Sequence, residues 1–440
     1  MLRVLQLFAL SSLTAAAPPG CAKGHVVRGL NVKAGGDALT RTKGCADRCA
    51  PHAANKLLEQ GFLKGGASGG AVEGIDRTSV NAAVQDADYL LVGTWQGFAY
   101  EGFRFVPEAH KGDTTQIEGK QVPRGKILVS RHMDPYDLAG RALFDLAPYI
   151  NVTMSYSLRA SVPMTFAHED FFEKAVAHPF VPATAREEGF AVWVSSNCRP
   201  EYRQRTVKEM MDALEKHGGG DGKKYRLDSR GGCMRNAPKF PSNGGVGLDV
   251  GYAQYKFAIV IENSIEIDWV TEKFYLPFLA NTVPVYYGAP NIADFAPGEH
   301  SFVNMRDFDS AEALAAHLVF LSENEDEYAK YFAWRKGGAA KKSATLDHVQ
   351  RHSTYRDDLF CDVCDCVCDP VCSNSASRIL HYKHLPQVGP WEAPTQDMID
   401  QRHPHAADFT YDGGDRWQDG AFGRKQGIRV PLKDARIELL

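Results

Sequence analysis

Polar side chains of the kinds that hold charged ligands follow one apolar run in the second half of the chain. The run is KFAIVI at residues 256–261, and the sequence after it reads ENSIEIDWVTEKF. Such a run is typical of a strand buried on both faces, and the pattern that follows predicts a helix over residues 269–280. Ligands of open α/β sheets lie beyond the carboxyl ends of the strands, beside helix N-termini. We therefore expect four side chains to converge on one crevice: Glu262, Asn263, Glu272 and Lys273.

The charge of Lys273 is the most informative feature of this loop. Asp268 is a good candidate for the helix N-cap, and an acid near a helix start is favoured by the helix dipole by roughly 0.3–1 kcal/mol. Glu272 alone is thus explained about equally well by helix stability. A lysine in the first turns opposes the dipole, and a bound diphosphate would remove this conflict because backbone N–H groups and the ammonium would both face anionic oxygens. The pattern favours an anion in the crevice.

A second cation follows the next strand upstream, in the run GGCMRN at residues 231–236. Glycine allows the backbone to approach a ligand closely, and the planar guanidinium of Arg235 suits a phosphate. The motif is weak alone and gains weight from Lys273. Ser196 and Asn197 follow another predicted strand and are expected beside it. Lys256 is a further candidate cation, although a lysine at a strand edge is more often solvated.

Strands alternate with helices along the chain, which predicts α/β architecture with parallel sheets and right-handed crossovers. The best domain boundary is the polar, proline-containing segment 180–188. We expect strands over residues 89–92, 127–130, 190–194, 225–227, 256–261 and 283–287, and helices over residues 138–146, 203–217, 269–280, 311–322 and 325–334.

Composition and motifs exclude several classes of function. A net charge of -4 without a long basic run does not indicate a nucleic-acid partner. The chain has no G-x-G-x-x-G and no Walker loop, so dinucleotide oxidoreductases and P-loop enzymes have little support. The D-x-D runs at residues 86–88 and 307–309 are interpreted as a strand approach and a loop, and no metal ligands are assigned.

The amino terminus and the cysteines indicate the secretory pathway. Residues 1–17 combine Arg3, an apolar stretch and an Ala-rich end, which is a signal-peptide pattern, with a short membrane anchor as the alternative. Ten cysteines fit an oxidising compartment, and Asn151 begins an N-glycosylation sequon. Cys198 and Cys233 each follow a strand of the same predicted sheet, so we expect them to form a disulfide. Five cysteines crowd into residues 361–372, where disulfides explain the spacing better than zinc.

The run YKFAIVIENS, followed by DWVTEKFYLPFLANTVPVYYGAPNIADFAP and preceded by SSNC and GGCMRN, resembles the α1,3-fucosyltransferases of glycosyltransferase family 10. The plant-type enzymes that fucosylate the innermost GlcNAc of N-glycans are the most similar group. The resemblance covers about residues 190–335 and is thinner over residues 125–180. Cys361 and Cys364 fall where family members carry a C-x-x-C, which favours a disulfide there.

The resemblance implies a GT-B architecture, with two Rossmann-like domains facing a central cleft. The residue patterns predict a signal peptide or short anchor over residues 1–17 and a stem over 18–85, and the resemblance implies an acceptor-side domain over 86–182. A GDP-fucose-binding domain would occupy residues 183–350, and a Cys-rich segment and tail residues 351–440.

The resemblance also implies an inverting transfer of L-fucose from GDP-fucose, in the Golgi lumen or as a secreted enzyme. Arg235 and Lys273 would hold the diphosphate, and Glu272 and Asn263 would contact the fucose or its phosphate linkage. Trp269 stands where relatives have an aromatic residue near the nucleotide, and packing at the helix start explains it equally well. We expect no obligatory cofactor, and Mn2+ or Mg2+ is expected at most to stimulate the transfer. The membrane is expected to be contacted only through the N-terminus.

The chain departs from the family at the general base. Relatives carry a glutamate after an early strand, and His132 stands at the matching position here, with Asp134 two residues on and Glu169 as a third candidate. A neutral histidine is a competent base near pH 7. Two alternatives follow: an active enzyme, or a sugar-nucleotide or lectin-like relative without turnover. A structural secreted protein is a third interpretation. The N-glycan core is the expected acceptor, with N-acetyllactosamine, giving Lewis-type products, as the rival.

Overall fold

A computed structural model describes the chain over several ranges: residues 29–32, 40–42, 89–94, 114–117, 120–123, 127–135, 150–186, 189–218, 224–240, 251–335, 343–356, 359–368, 372 and 385–393. The predicted signal peptide over residues 1–17 and the predicted helix over residues 138–146 lie outside these ranges.

The first half of the described chain forms a six-stranded sheet with the order β2-β1-β3-β6-β7-β8, and β4 and β5 form a separate antiparallel hairpin. All pairs in the sheet are parallel except β1 with β2. The strands are β1 (Gly29–Val32), β2 (Thr40–Thr42), β3 (Tyr89–Thr94), β4 (Thr114–Ile117), β5 (Lys120–Pro123), β6 (Ile127–His132), β7 (Val152–Ser155) and β8 (Val162–Pro163).

The second half forms a five-stranded, wholly parallel sheet with the order β10-β9-β11-β12-β13. Its strands are β9 (Gly189–Trp193), β10 (Leu227–Ser229), β11 (Tyr255–Ile261), β12 (Val283–Tyr287) and β13 (Val303–Asn304). Two separate sheets, one wholly parallel and the other parallel except for the β1–β2 pair, confirm the expected α/β class.

Seven α-helices accompany the sheets in the described ranges. They are α1 (Phe171–Ala177), α2 (Glu201–His217), α3 (Glu272–Leu279), α4 (Ala311–Glu323), α5 (Glu325–Lys330), α6 (Ala344–Arg351) and α7 (Leu359–Cys368). Short 3-10 helices lie at Ala183–Ala185, Ile292–Asp294, Met305–Asp307 and Ala333–Arg335. None of the helices in these ranges combines the length and the apolar character that a membrane span requires.

The central strand of the second sheet shows why this half folds as it does. In β11, Phe257, Ile259 and Ile261 enter the core that contains residues of α2 and α4, whereas Ala258 and Val260 enter the core that contains residues of α1 and α3. Alternate side chains of a strand point to opposite faces, so an apolar run without polar alternation needs a helical layer on each face. The buried strand predicted from KFAIVI is confirmed.

Helix α7 packs on the first sheet. Leu359, Val363 and Val367 of α7 share a core with Val129 and Met154 of β6 and β7. The part of the predicted Cys-rich segment and tail, residues 351–440, that forms α7 therefore covers the first sheet. Within the segment, Cys366 is bonded to Cys372. The side chains of Cys361 and Cys364 lie outside the described part of the chain, and their pairing stays a prediction.

Several boundaries differ from the sequence-based expectations. Strands β1 and β2 lie within residues 18–85, interpreted as a stem, yet β1 pairs with β3, so this part of the segment belongs to the first sheet. Strand β10 begins at Leu227, two residues late. Helix α3 begins at Glu272 rather than at residue 269, and α5 ends at Lys330 before a separate 3-10 turn. Tertiary contacts at the ends of these elements, described below for α3, override local periodicity.

A buried arginine fastens the second sheet to the end of α3. Arg186 is 4% exposed, and its guanidinium donates to four backbone carbonyls and one hydroxyl. The acceptors belong to Ala253, Tyr255, Ala280, Asn281 and Thr282. The hydrogen bonds to Tyr255, Ala280, Asn281 and Thr282 are buried, and that to Ala253 is partly buried. Hydrogen bonds to a charged group contribute more than neutral ones.

Arg186→Met is expected to lower the free energy of unfolding by about 3 kcal/mol or more, because it leaves several buried acceptors unpaired. Urea unfolding followed by tryptophan fluorescence measures the change. Arg199→Ala is the control, since Arg199 is exposed and its side chain has no hydrogen bond to another described residue. Equal stability of the two variants would contradict the assignment.

Candidate active site

The strand order of the second sheet defines where a ligand can bind. Counted from β9, the order is 2-1-3-4-5, and the direction of progression reverses between β9 and β11. In such doubly wound sheets the crevice lies at this reversal, beyond the carboxyl ends of the strands. The loop after β9 contains Ser196 and Asn197, and the loop after β11 begins with Glu262 and Asn263. The structure thus brings these two predicted segments to one crevice.

The glycine pair after β10 packs against the loop after β9. A Cβ atom on Gly231 would lie 2.2 Å from the carbonyl oxygen of Ser195, and Gly232 N donates to that oxygen at 2.7 Å. Only glycine allows this approach between two backbones. We had interpreted the pair as making room for a ligand, and this interpretation is wrong for Gly231, because a neighbouring loop fills the space.

The predicted disulfide between Cys198 and Cys233 is confirmed, with a Cα–Cα distance of 5.5 Å. It joins the loop after β9 to the loop after β10. Two residues beyond Cys233, Arg235 is exposed and makes no hydrogen bond or ion pair with another described residue. Strands β10 and β11 are separated by one strand, hence by about 10 Å. The guanidinium of Arg235 is therefore available to a ligand at this edge of the sheet.

Glu262 lies beneath the crevice surface, which differs from the predicted contact with the donor. It is fully buried, and its carboxylate accepts hydrogen bonds from Thr271 N at 2.8 Å and from Thr271 Oγ1 at 2.9 and 3.0 Å. Burial raises the pKa of Glu262, and the positive charge of Lys273 acts in the opposite direction. Because Thr271 is the N-cap of α3, Glu262 fixes the position at which that helix starts.

Lys273 and Glu272 form an ion pair at the start of α3. Lys273 Nζ lies 2.8 Å from Glu272 Oε1 and 3.3 Å from Thr271 Oγ1, and the side chains are 35% and 39% exposed. The conflict between Lys273 and the helix dipole is therefore partly relieved by its own neighbour, which weakens the argument that an anion is required. Both side chains remain accessible to a ligand.

Asp268 does not cap α3. Its backbone adopts a left-handed conformation with φ of 67°, and its carboxylate accepts hydrogen bonds from Leu158 N at 3.0 Å, Ser157 Oγ at 3.3 Å and Asn291 Nδ2 at 2.9 Å. Ser157 and Leu158 follow β7 of the first sheet, so Asp268 joins the two units. Burial raises the pKa of Asp268. This tertiary role explains why the helix starts three residues later than predicted.

Trp269 packs between the two units. It is 3% exposed and makes edge contacts with Tyr156 at 4.7 Å and Phe166 at 5.4 Å between ring centroids. Its Nε1 donates to Asn263 Oδ1 at 2.9 Å. For Trp269, packing at the helix start is therefore favoured over contact with a nucleotide. Asn263 itself is half-buried at the rim of the crevice.

Lys256 lies at the wrong end of its strand for the crevice. It is the second residue of β11, whereas the crevice is at the carboxyl end, about 20 Å away for six residues of extended chain. Burial lowers the pKa of Lys256, and the negative charge of Glu325, in α5, opposes this shift. The prediction that Lys256 contacts the donor is wrong, because every strand of this sheet points the same way.

His132 ends β6 and is 2% exposed. Burial lowers its pKa to about 3, with a hydrogen bond to the backbone of Pro135 acting in the opposite direction. A base with so low a pKa provides little driving force for proton transfer near pH 7. These facts argue against His132 as the base. Asp134 is half-buried in the loop just beyond, and Glu169 is exposed before α1.

Sequence reasoning missed a buried carboxyl group at the junction of the two units. Glu266 is 1% exposed, accepts from Ser264 Oγ at 3.0 Å and accepts a short hydrogen bond from the Tyr156 hydroxyl. Tyr156 directly follows β7, so this contact joins the carboxyl edges of both sheets. No local sequence signal identifies the pair, since the partners lie 110 residues apart.

The tail also contributes to the loop after β11, although the sequence suggested no role for it. The side-chain amide of Gln387 accepts from Ile265 N at 2.8 Å and donates to Ile265 O at 3.0 Å. Glu392 pairs with Arg205 of α2 through two contacts of 2.7 and 2.8 Å. Residues 385–393 therefore hold the loop that carries Asn263 and Glu266.

Within the described ranges, no group of three or more His, Cys, Asp and Glu side chains is arranged to hold a metal ion. The expectation that no metal is obligatory stays a prediction.

The protonation of His132 predicts a pH-dependent stability. The unfolded chain binds a proton at this group near pH 6.5, whereas the folded chain binds it only near pH 3. Unfolding therefore takes up a proton between these values, and stability is lost as the pH falls below 6.5. The expected loss by pH 5 is about 2 kcal/mol relative to pH 7.5.

His132→Gln is expected to remove most of this difference between pH 7.5 and pH 5 in urea unfolding. His217→Gln is the matched control, because His217 is exposed at the end of α2. A variant at position 132 with the same pH dependence as the unaltered protein would contradict the buried neutral state.

Comparisons with known proteins agree with this geometry. Residues 184–382 match the family model of the glycosyltransferase family 10 (fucosyltransferase) C-terminal domain, and this region contains the whole second sheet. The chain is 28% identical over 261 residues to GDP-fucose protein O-fucosyltransferase 3 of Bos taurus, covering 55% of this chain and 52% of that protein. The Homo sapiens protein of the same name is 28% identical over 262 residues, covering 55% and 51%. The chain thus spans about half the length of the curated relatives it matches.

A crystal structure of alpha1,3-fucosyltransferase with GDP aligns with 61% of this chain and 81% of its own, at 15% identity and a TM-score of 0.38. The fold given above follows from the observed strand order and does not depend on that alignment. The sequence resemblance to glycosyltransferase family 10 is confirmed over residues 184–382, which match the family model of the fucosyltransferase C-terminal domain.

Proposed function

We propose that the protein transfers L-fucose from GDP-fucose to a glycoprotein acceptor. The observation that carries this proposal is the crevice at the β9–β11 reversal, within the family-matched residues, with the accessible side chains of Arg235, Glu272 and Lys273 on its loops. A binding protein without turnover is the main alternative. A purely structural secreted protein would leave this arrangement of accessible charges unexplained.

The donor's chemistry assigns roles to these cations. GDP-fucose carries a β linkage, so an α-linked product requires inversion by a single displacement. During this step the anomeric carbon becomes cation-like while negative charge grows on GDP. Arg235 and Lys273 are the donors that we assign to that charge, and the loss of one such donor commonly costs about 10²–10³ in rate. Glu272 lies beside Lys273 and would contact the fucose.

The acceptor hydroxyl must lose a proton during transfer. Asp134 is the better of the two candidates after β6, because it is half-buried rather than fully buried. It follows β6, and Tyr156, which contacts Glu266 between the units, follows the neighbouring strand β7. We assign the base to Asp134, with Glu169 as the competing carboxylate.

Two classes of acceptor, a glycan and a polypeptide, are each supported by a different observation. The plant-type resemblance of the ENS and VTEK motifs supports α1,3 transfer to GlcNAc of the N-glycan core, with N-acetyllactosamine as the rival glycan. The names of the bovine and human relatives support a second candidate, transfer to a hydroxyl of the polypeptide. Either reaction fits the secretory pathway, with the Golgi lumen as the proposed site.

The first experiment incubates the full chain with GDP-fucose and three acceptors: an N-glycan core glycopeptide, N-acetyllactosamine and an unglycosylated Ser/Thr-containing protein, each with and without EDTA. Mass spectrometry then detects the added deoxyhexose. Transfer to either glycan supports glycan fucosylation, and transfer only to the protein supports O-fucosylation. GDP binding without any transfer or donor hydrolysis would favour the binding-protein alternative.

Arg235→Ala is expected to lower kcat/KM for the donor by about 10²–10³, because the growing charge on GDP loses a bidentate partner. Steady-state kinetics with varied GDP-fucose measures the effect. The control is Arg199→Ala, which removes an exposed arginine from the neighbouring loop and is expected to change kcat/KM less than twofold. Equal effects of the two substitutions would exclude Arg235 as a diphosphate ligand.

A further inference from the structure

An open cleft of about 470 Å³ lies outside the crevice described above. It lies where the loop before α1, the end of α6 and the first turn of α7 meet. This volume falls within the roughly 300–1,000 Å³ typical of small-molecule sites. The lining residues are Glu169, Gln350, Arg351, His352, Arg356 and Asp362.

The charges of this cleft are balanced. Arg356 Nη1 lies 3.0 Å from Asp362 Oδ2, and Arg351 Nε lies 3.0 Å from Asp347 Oδ2. Both guanidinium groups therefore already have carboxylate partners, and Glu169 adds a further acid. A second phosphate-binding site would need an excess of positive charge, so the cleft suits a neutral ligand that exchanges many hydrogen bonds.

A buried acceptor in the lining lacks a partner. Gln350 is 2% exposed, and its Nε2 donates to Glu169 O at 2.7 Å, to His168 O at 3.3 Å and to Glu173 Oε2 at 3.3 Å. These three acceptors fix the orientation of the amide, because a flipped amide would face them with oxygen. Within the described part of the chain, Gln350 Oε1 has no hydrogen-bond donor. Buried polar atoms are rarely left unpaired, so a donor from a ligand or water is expected there.

Two aromatic side chains form an exposed platform next to the cleft. In the sequence, His168 directly precedes the lining residue Glu169, and Tyr355 directly precedes the lining residue Arg356. The ring of Tyr355 stacks on that of His168 with centroids 5.6 Å apart and an angle of 17° between planes, and Tyr355 is 48% exposed. The platform is held by hydrogen bonds from Thr354 N to Thr165 O at 2.8 Å and from Tyr355 N to Ser353 Oγ at 3.1 Å. A large aromatic ring held rigidly in water is a characteristic contact surface for the apolar face of a ligand.

The platform is connected to the candidate active site through α1. His168 lies three residues before the start of this helix. Phe171, the first residue of α1, packs on Tyr275 of α3 with ring centroids 4.9 Å apart. This contact holds the start of α1 against the helix that begins with Glu272 and Lys273.

We propose that the cleft lined by Gln350, Arg351 and Arg356, together with the Tyr355–His168 platform, binds a neutral carbohydrate, namely the glycan of the acceptor. Sugar rings have an apolar face that stacks on Tyr355 and hydroxyl groups that donate to Gln350 Oε1. The proposal rests on the proposed fucosyl transfer for the identity of the bound sugar as acceptor. A polypeptide acceptor is the outcome that would exclude it.

The test measures direct binding and kinetics of the full chain. Saturation-transfer NMR is recorded with an N-glycan core oligosaccharide, with N-acetyllactosamine and with a Ser/Thr peptide, while GDP binding is followed separately. Tyr355→Ala is compared with Phe320→Ala, since Phe320 is an exposed aromatic side chain of similar exposure, 47%, on α4. Neither substitution is expected to alter GDP binding.

We expect Tyr355→Ala to weaken glycan binding and to raise the KM for the glycan about tenfold, because the sugar loses the aromatic ring on which it stacks. The KM for GDP-fucose and acceptor-free hydrolysis of GDP-fucose should stay unchanged, and Phe320→Ala should affect none of these values. The preferred oligosaccharide distinguishes an N-glycan core from N-acetyllactosamine.

Two results would overturn the proposal: glycan binding that Tyr355→Ala leaves unchanged, or binding of the peptide alone. Failure of the proposed function would differ from both, because the unaltered protein would then neither transfer nor hydrolyse GDP-fucose. Glycan binding that Tyr355→Ala abolishes would in that case still support the cleft.

Discussion

The hydrogen bonds between the buried carboxylate of Glu262 and Thr271 hold together the part of the molecule on which the site depends. They tie the end of β11 to the N-cap of α3 across a loop of eight intervening residues. The carboxylate is fully buried, so its polar partners must remain in place for it to be tolerated. Because α3 begins immediately after Thr271, the positions of Glu272 and Lys273 follow from this contact.

The same loop joins the two sheets. Asp268 accepts hydrogen bonds from the turn after β7, and Glu266 accepts one from Tyr156. Trp269 fills the space between Tyr156 and Phe166. From the other direction, the segment after α6 pairs with Thr165, and α7 completes the core of the first sheet. The chain crosses between the units more than once, which explains why the carboxyl edges of both sheets are held in contact.

Some features were predictable because their cause is local. The KFAIVI run predicted β11, since an uninterrupted apolar strand needs cover on both faces, and Phe257 and Ala258 enter different cores. The pairing of Cys198 with Cys233 followed from the alternation of strands and loops. Other predictions were wrong, and the reasons are equally physical. Asp268 was a plausible N-cap by residue type, yet its carboxylate is used by Leu158 and Asn291, which sequence periodicity does not reveal.

The sequence by itself determined the α/β class, most elements of the second sheet and the family motif, because these depend on short-range patterns of apolar, glycine and charged residues. Only the tertiary structure decided which of the polar residues lie at the surface of the crevice. Lys256 lies near the start of β11 and Glu262 directly follows its end, so the parallel direction of the sheet puts Lys256 far from the crevice. Glu262 is at the right end of the strand but is buried beneath the surface. The platform of His168 and Tyr355 joins residues far apart in the chain. Contacts of this kind form only when separate elements pack, and no local pattern encodes them.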